Sequence, residues 1–344
     1  MVKNVYPQVV HTDPSKLKLK DYQSDQDVRW CPGCGDYSIL ANVQRFMPSL
    51  GIPKENFVFV SGIGCSSRFP YYMNTFGIHT IHGRAPAVAT GIKASRPDLS
   101  VWVITGDGDA LSIGGNHFLH VLRRNVDIKY MLFNNRIYGL TKGQYSPTSE
   151  FGKKTKSTPM GSIDYPIDPV SMALGAGATF VARAVDIDAQ GFQQVLASAA
   201  THKGTAFIEI YQNCNIFNDG AFLQIQEKKT RPQHALYLQH GKPMIYGDKG
   251  NELGIQLDAQ GQPQVVKVAD VGEDKLLVHD ETSDTLPFVI SRLKPPHFPT
   301  PLGVIRKVQL PSYDELLNEQ IEASKPKRKT VQELLNAGET WTVG

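Results

Sequence analysis

The sequence predicts an α/β fold: an open, mostly parallel sheet with helices on both faces. Short apolar runs of strand length alternate along the chain with segments in which apolar residues recur at helical spacing. Glycine-containing turns follow several of the apolar runs, as at Gly62 and Gly106. Strands and helices that alternate in this way form parallel sheets that helices cover on both sides.

The predicted elements follow one another in a regular order. We expect strands at 57–61, 101–104, 130–133, 179–185 and 206–211, and helices at 36–50, 84–95, 112–124, 169–175 and 192–202. In the helix at 112–124, Ile113, His117, Val121 and Leu122 are expected on the inner face. Residues 143–168 show little periodicity, which predicts a mobile loop at the mouth of a site.

The pattern divides the chain into three parts. Residues 1–28 are polar and predict an N-terminal arm over a partner, and residues 29–224 hold the alternating strands and helices. In residues 225–344 the pattern changes to short strand-like pieces, such as 264–268 and 275–278, and a helix at 313–323. We expect this C-terminal extension to contact the metal site or a partner subunit.

Composition narrows the class of protein. The chain has 344 residues, of which 41% are hydrophobic, enough for one large core with additions. Its formal net charge of +3 is too small to indicate nucleic acid binding. No apolar stretch is long enough to span a membrane, and the first residues lack the apolar core of a signal peptide. We therefore expect a cytoplasmic protein with neither nucleic acid nor membrane as a partner.

The most informative motif is Gly106-Asp107-Gly108, followed by Asn134-Asn135 after the next strand. Parallel strands end at the same edge of a sheet, so Asp107 and Asn135 are expected to lie side by side. A carboxylate, an amide oxygen and nearby carbonyls suit Mg²⁺ bound to a phosphate, which the glycines allow to approach closely. The alternative is an ordinary turn in which Asp107 caps a helix.

The four cysteines, Cys31, Cys34, Cys65 and Cys214, are the second informative feature. A disulfide framework is disfavoured in a long chain without a secretion signal. A redox Cys-x-x-Cys pair would leave Cys65 and Cys214 without a role. One four-ligand metal site accounts for all four, and their spacing alone leaves zinc and an iron–sulfur cluster open.

Five motifs in order carry a resemblance to a known family. They are Trp30-Cys31-Pro32-Gly33-Cys34-Gly35-Asp36, Ser61-Gly62-Ile63-Gly64-Cys65-Ser66, His82-Gly83-Arg84-Ala85, Gly106 to Asp109, and Tyr138-Gly139-Leu140-Thr141-Lys142-Gly143-Gln144. Together they resemble the β subunit of 2-oxoacid:ferredoxin oxidoreductases, and most of all the 2-oxoglutarate type. The resemblance covers about residues 29–219.

The resemblance implies three cofactors: thiamine diphosphate, Mg²⁺ and a [4Fe-4S] cluster. It implies that Cys31, Cys34, Cys65 and Cys214 bind the cluster, and that Asp107, Asn135 and the Ile137 carbonyl bind Mg²⁺. Thiamine diphosphate would contact a larger set: Ile63, Gly64, Cys65, Ser66, His82, Gly106, Asp107, Gly108, Asp109, Asn135, Ile137, Gly139, Leu140 and Thr141. Residues 29–224 would then be the cofactor-binding domain.

The implied reaction is the oxidative decarboxylation of 2-oxoglutarate with coenzyme A, giving succinyl-CoA, CO₂ and reduced ferredoxin. Arg68 is our candidate for the substrate carboxylate and Leu140 for a wall of the substrate pocket. Glu55 is the only glutamate in residues 29–140 and is poorly placed to activate the cofactor. We therefore expect an α subunit that brings this glutamate on a pyrimidine-binding domain, in a dimer of heterodimers.

Other functions fit the same sequence. The enzyme could act on pyruvate or branched-chain 2-oxoacids, because single pocket contacts change selectivity. The chain could also be a non-catalytic iron–sulfur electron-transfer subunit, or a zinc protein with a vestigial cofactor fold. The direction of the reaction, oxidation or CO₂ fixation, is open as well.

Overall fold

The structure, a computed structural model, describes residues 12–325 and 329–344, so the first eleven residues of the predicted arm lie outside the described part. The strands are β1 Phe57–Ser61, β2 Phe76–His79, β3 Ser100–Gly106, β4 Lys129–Asn134, β5 Phe180–Val185, β6 Ala206–Tyr211, β7 Ala235–Tyr237, β8 Ile245–Tyr246, β9 Leu253–Leu257, β10 Pro263–Lys267 and β11 Thr300–Lys307. The α-helices are α1 Asp36–Phe46, α2 Ala85–Ser95, α3 Asp107–Leu111, α4 Gly115–Arg124, α5 Pro169–Gly175, α6 Ala189–Thr201, α7 Leu223–Gln226, α8 Arg231–His234, α9 Val268–Val271, α10 Leu286–Ser291, α11 Tyr313–Ser324 and α12 Val331–Leu335.

Eight strands form the main sheet, in the order β2-β1-β3-β4-β6-β5-β11-β7. Neighbouring strands are parallel except for β5 and β11, which pair antiparallel. A second sheet contains β10, β9 and β8. The predicted fold class, an open and mostly parallel sheet, is confirmed.

Helices cover both faces of the main sheet because its central strands bury both sets of alternating side chains. In β1, Phe57 and Phe59 pack with α1 and α6 on one face, whereas Val58 and Val60 pack with α2, α4 and α5 on the other. All five residues of β1 are buried. This two-sided burial explains why the strands appear in the sequence as continuous apolar runs.

Two local predictions differ from the structure. The helix predicted over 112–124 is α4, which begins only at Gly115, because Ser112 leaves the helical region at φ −90° and ψ −105° between α3 and α4. Ile113 is consequently 53% exposed, and Phe118 joins Val121 and Leu122 on the buried face. Residues 275–278 begin in a 3₁₀ turn and form no continuous strand, although Leu277 bonds through its backbone to Met244 and Ile255 and Val278 forms a bridge with Pro243.

The main sheet continues into the C-terminal extension. Strand β11 pairs with β5 and then with β7, so two strands from residues 225–344 complete the edge of the sheet. The predicted boundary between the cofactor-binding domain and the C-terminal extension, at residue 225, stays a prediction. The main sheet contains hydrogen-bonded strands from both sides of this boundary. Within the described residues, none of the helices has the length and apolar character needed to cross a membrane.

Candidate functional site

Four adjacent strands end at one edge of the sheet and deliver the predicted site residues. Strands β1, β3, β4 and β6 are parallel neighbours, so the loops that follow them lie side by side. The loop after β1 carries Ile63 to Ser66, the turn after β3 carries Asp107, the loop after β4 carries Asn135, and the loop after β6 carries Cys214. Topology alone therefore gathers these four segments.

A cavity of about 170 Å³ lies among these loops. All fourteen residues predicted to contact thiamine diphosphate line it: Ile63, Gly64, Cys65, Ser66, His82, Gly106, Asp107, Gly108, Asp109, Asn135, Ile137, Gly139, Leu140 and Thr141. Two further residues, Phe133 and Tyr138, complete the lining and were not among those predicted. Tyr138 opens one of the five motifs, so the sequence contained a signal for it.

Asp107 is buried at the cavity wall, with 2% of its surface exposed. Its Oδ2 atom accepts hydrogen bonds from Ser146 Oγ at 2.5 Å and Thr148 Oγ1 at 2.6 Å. Burial raises the pKa of Asp107 to about 6, although both hydroxyl groups act to lower it. A bound cation would replace the lost hydration of this carboxylate, which suits a metal ligand.

The two asparagines after β4 point to different neighbours. Asn135 Oδ1 accepts the Ile137 N–H at 3.2 Å, so the predicted amide ligand and the predicted carbonyl ligand belong to one tight turn. Asn134 instead donates from Nδ2 to Glu209 Oε1 at 2.8 Å, inside the sheet. Only Asn135 lines the cavity, as predicted.

Asp109 joins three segments of the cavity wall. Its Oδ1 atom accepts the Ile63 N–H at 3.0 Å and the Gly83 N–H at 2.7 Å, and it lies 2.5 Å from His82 Nδ1. Its Oδ2 atom accepts from Thr105 Oγ1 at 2.6 Å. The carboxylate is thus occupied by protein donors, and the geometry supports an organising role for Asp109 and a cavity-facing role for His82.

The cavity has a polar group suited to an anionic ligand. The hydroxyl of Ser66 is buried and makes no hydrogen bond within the described residues. It lies 3.3 Å from the point where a Cβ on Gly106 would stand, so a side chain there would crowd the hydroxyl. At Gly108 a Cβ would come within 2.1 Å of the Tyr138 ring. The two glycines and the free hydroxyl therefore fit a cradle for a diphosphate.

The four cysteines are all free thiols grouped around the loops after β1 and β6. The Sγ atoms of Cys65 and Cys214 lie 3.5 and 3.6 Å from the Cβ position of Gly139, so they border the same point. The N–H of Cys34 donates to the Cys31 carbonyl at 3.0 Å, and this hydrogen bond closes the tight turn of the Cys-x-x-Cys pair. Cys31 is exposed and the other three are partly buried.

The electrostatics of the cysteines suit metal binding rather than free thiolates. Burial, with the negative charges of Asp36, Cys214 and Cys31, raises the pKa of Cys65 to about 12. Burial and Asp36 also raise the pKa of Cys34 well above its ordinary value. In the described residues no group of three or more His, Cys, Asp or Glu side chains is arranged to hold a metal ion. The cluster ligands stay a prediction, supported by the donor set.

Gln212 is a site residue that sequence analysis missed. Its Oε1 atom accepts from Asn135 Nδ2 at 2.8 Å, and its Nε2 atom lies 3.3 Å from Cys34 Sγ. One buried amide therefore connects the predicted magnesium site with the predicted cluster site. A single glutamine after a strand carries no motif, so nothing in the sequence marks it.

Arg68 lies in a second cavity of about 570 Å³ beside the first. The two cavities share Ile63, Gly64 and Leu140, so the predicted substrate residues Arg68 and Leu140 are brought together. Arg29 and His79 also line the second cavity. Within the described residues Arg68 makes no ion pair and no side-chain hydrogen bond, which leaves its guanidinium available to an anion.

The fold and the site define an α/β protein that binds thiamine diphosphate. The family model for the thiamine pyrophosphate enzyme C-terminal TPP-binding domain matches residues 62–210, which include the cavity, strands β3, β4 and β5, and β6 except its last residue. In solved structures, the chain is similar to 2-oxoglutarate:ferredoxin oxidoreductase from Magnetococcus marinus, which contains 2-oxoglutarate, coenzyme A and succinyl-CoA. That match has a TM-score of 0.75 and 33% identity, and it covers 94% of this chain and 97% of the other.

The chain is 53% identical over 341 residues to the 2-oxoglutarate oxidoreductase subunit KorB of Mycobacterium tuberculosis, covering 97% of this chain and 91% of the relative. It is 46% identical over 201 residues to subunit beta of 2-oxoacid:ferredoxin oxidoreductase 1 of Aeropyrum pernix, covering 58% of this chain and 63% of that protein. The chain therefore belongs to the family of 2-oxoacid:ferredoxin oxidoreductase β subunits, of the 2-oxoglutarate type. The family predicted from the five motifs is confirmed.

Proposed function

We propose that this chain is the cofactor-binding subunit of a complex that oxidises 2-oxoglutarate with coenzyme A to succinyl-CoA and CO₂ and passes the electrons to ferredoxin. The observation that carries the proposal is the convergence of four strand-end loops. They bring a diphosphate cradle, a buried carboxylate and Cys65 to one cavity, with Cys214 beside Cys65. The identity of 53% with a 2-oxoglutarate oxidoreductase subunit supports the choice of substrate.

In this proposal the cavity holds thiamine diphosphate and Mg²⁺. Asp107, Asn135 and the Ile137 carbonyl bind the cation, and Ser66 with the turn at Gly106 and Gly108 holds the diphosphate. His82, fixed by Asp109, presents its other ring nitrogen to the ligand. When bound, the cofactor supplies the thiazolium ring that accepts the electron pair released as the 2-oxoacid loses CO₂.

Cys31, Cys34, Cys65 and Cys214 would hold a [4Fe-4S] cluster beside this cavity. Cys65 supports the placement because it lines the cavity and also borders the same point as Cys214. A cluster held by these cysteines would supply one-electron chemistry. Because Cys31 is exposed, the cluster would lie near the surface, where a ferredoxin could approach it.

Arg68 and Leu140 would hold the substrate. The unpaired guanidinium of Arg68 binds a carboxylate of 2-oxoglutarate by two parallel hydrogen bonds. Leu140, shared by both cavities and 44% exposed, forms the apolar wall between the carboxylate and the reacting carbon. The 2-oxoacid preference rests on such contacts, so pyruvate and branched-chain acids are the competing substrates.

The proposal requires a partner subunit. Among the described residues no glutamate lines the cavity, and Glu55, the one candidate in residues 29–140, accepts a hydrogen bond from Thr12 N at 3.3 Å instead. We propose that an α subunit contributes the activating glutamate, that the complex is a dimer of heterodimers, and that it acts in the cytoplasm. The edge strand β2 is exposed and its His79 lines the second cavity, so a partner could cover this edge of the sheet.

Assay of the co-expressed complex tests the proposal. Viologen reduction is measured with 2-oxoglutarate, pyruvate and a branched-chain 2-oxoacid, each with coenzyme A, and with this chain alone as a control. We expect 2-oxoglutarate to be preferred and the single chain to be inactive. Equal rates on all acids would contradict the substrate, and robust turnover by the single chain would contradict the need for a partner. Thiamine diphosphate and iron contents of the complex distinguish an enzyme from an electron-transfer or zinc protein.

A further inference from the structure

Two hydroxyl groups from a downstream loop hold the side chain of Asp107. Ser146 and Thr148 follow it by 39 and 41 residues, and both are themselves buried, with 2% and 4% of their surfaces exposed. A carboxylate only accepts hydrogen bonds, so both hydroxyls donate to Oδ2. Bonds of 2.5 and 2.6 Å to a charged oxygen are strong, and they offset the burial of three polar side chains.

The number of available protons determines how the carboxylate is oriented. Thr148 Oγ1 also lies 2.9 Å from Asn134 Oδ1, but a hydroxyl has one proton to donate. Asn134 Oδ1 already accepts the Arg136 N–H at 3.2 Å, and the carboxylate contact is the shorter one. The Thr148 proton therefore lies on Asp107. Oδ2 then has two hydroxyl donors, whereas Oδ1 has no side-chain donor in the described residues.

We propose that Ser146 and Thr148 are positioning residues that fix Asp107 with Oδ2 on the loop and Oδ1 free for the cation. Neither hydroxyl lines the small cavity that Asp107 borders. The two hydroxyls thus contact the metal ligand Asp107 on the side away from the cavity, and they do not bind the cation themselves. A carboxylate held in one orientation loses less freedom when it binds a metal, so the two hydroxyls strengthen Mg²⁺ binding. This inference rests on the proposed magnesium and thiamine diphosphate site.

The same contact connects the cation to the wall of the cavity. Residues 138–144 form a hairpin in which the Tyr138 N–H donates to the Gln144 carbonyl at 2.8 Å and the Gly143 N–H donates to the Tyr138 carbonyl at 2.9 Å. Leu140 and Thr141 of this hairpin line the cavity.

Immediately after the hairpin, Ser146 and Thr148 attach the chain to Asp107, and Ser149 Oγ donates to the Arg136 carbonyl at 2.6 Å. The segment 136–149 is thus closed on itself and anchored to the metal ligand. Because linkage is reciprocal, a cation bound to Asp107 should also stabilise this segment.

The test uses Ser146→Ala, Thr148→Val and the double variant in the co-expressed complex. Equilibrium dialysis measures how much Mg²⁺ is needed to half-saturate the protein with thiamine diphosphate. We expect this concentration to rise about 10-fold in each single variant and up to about 100-fold in the double variant. Thr148→Ser keeps the hydroxyl and should stay close to wild type. Thr158→Val removes a hydroxyl of the same loop that bonds to Thr155, and should also have no effect.

Protease protection supplies a second readout. Mg²⁺ with thiamine diphosphate should protect the segment 136–149 of the wild type from cleavage, and this protection should be lost in the double variant. The single variants carry the test even if the double variant folds poorly. If both single variants keep the Mg²⁺ requirement of the wild type while Asp107→Asn abolishes binding, the inference about Ser146 and Thr148 is wrong and the proposed function still stands. Failure of the wild type to bind thiamine diphosphate would overturn the proposed function together with it.

Discussion

The amide nitrogen of Gln212 lies 3.3 Å from the sulfur of Cys34, and the carbonyl oxygen of the same side chain accepts a hydrogen bond from Asn135. Gln212 is buried, with 1% of its surface exposed, so this geometry is held by the fold. A predicted cluster ligand and a predicted magnesium ligand therefore share one neighbour. The contact therefore joins the two predicted cofactor sites through a single side chain.

The first prediction concerns the cluster potential. N–H donors to cysteine sulfur stabilise the more negative, reduced cluster. Gln212→Leu removes the donor to Cys34 and should lower the reduction potential, as measured by EPR-monitored redox titration. Gln226→Leu is the control, because this nearby amide bonds to Asp186 Oδ1 and not to a cysteine. An unchanged potential in Gln212→Leu with an intact cluster would contradict the prediction.

A second prediction concerns the carboxylate that organises the cavity wall. Asp109→Asn keeps an oxygen for the Ile63 and Gly83 N–H groups but loses the charge that strengthens the bond to His82. We expect the affinity for thiamine diphosphate to fall about 10-fold, since one charge-assisted bond contributes roughly 1.5 kcal/mol. Dialysis binding checks this. Asp164→Asn, on the exposed loop where Asp164 bonds to Tyr145, is the control and should bind normally.

The third prediction concerns the buried ion pair beneath the site. Arg183 Nε lies 2.7 Å from Glu209 Oε2, and both side chains are almost fully buried. Glu209→Gln removes the carboxylate that contacts the guanidinium and leaves Asp168 as a remaining nearby negative charge, so the free energy of unfolding should fall by about 3 kcal/mol in urea denaturation. Asp98→Asn breaks the exposed pair with Arg96 and should cost less than about 1 kcal/mol. Equal effects of the two changes would contradict the buried role.

The fourth prediction concerns stability at acid pH. Burial, with the positive charge of Lys129, lowers the pKa of His202 to about 4, whereas an unfolded histidine titrates near pH 6.5. The neutral His202 ring therefore makes its full contribution to the free energy of unfolding above about pH 6.5, and this contribution is lost as the pH falls towards 4. Thr179 Oγ1 at 2.8 Å and Gln309 Nε2 at 3.2 Å face the ring nitrogens and fit the neutral form.

Measured between pH 7 and 4, the free energy of unfolding of the wild type should fall by up to about 1.4 kcal/mol per pH unit from this group. His202→Gln should flatten that part of the curve. His297→Gln, at an exposed position, should leave the curve unchanged. A wild-type slope in the His202 variant would show that other groups determine the acid stability.

The sequence predicted five of the eight strands of the main sheet and most of the cavity, because these follow from local signals. Apolar runs mark β1, β3, β4, β5 and β6, and parallel strands deliver their following turns to one edge whatever the rest of the chain does. The glycines and Asp107 are part of a short motif, and Cys31 and Cys34 form another. Residues of this kind can be found without tertiary information.

The supporting contacts could not be predicted in this way. Ser146 and Thr148 reach Asp107 from a loop without periodicity, and Gln212 reaches Cys34 across 178 residues. Strand β11 pairs antiparallel with β5, so it needs no crossover helix, and the sequence lacks the strand–helix–strand pattern that marks a parallel strand. Such pairs depend on where the fold brings distant segments together, and no local pattern encodes them.

The most direct test of the account is low-temperature EPR of the co-expressed complex, loaded with thiamine diphosphate and Mg²⁺, after 2-oxoglutarate is added. We expect the signal of a reduced [4Fe-4S] cluster that depends on both thiamine diphosphate and substrate. We also expect the signal to be lost when any of Cys31, Cys34, Cys65 or Cys214 is replaced by serine. A complex that contains thiamine diphosphate but shows no substrate-dependent cluster reduction, or that keeps the signal without these cysteines, would contradict this account.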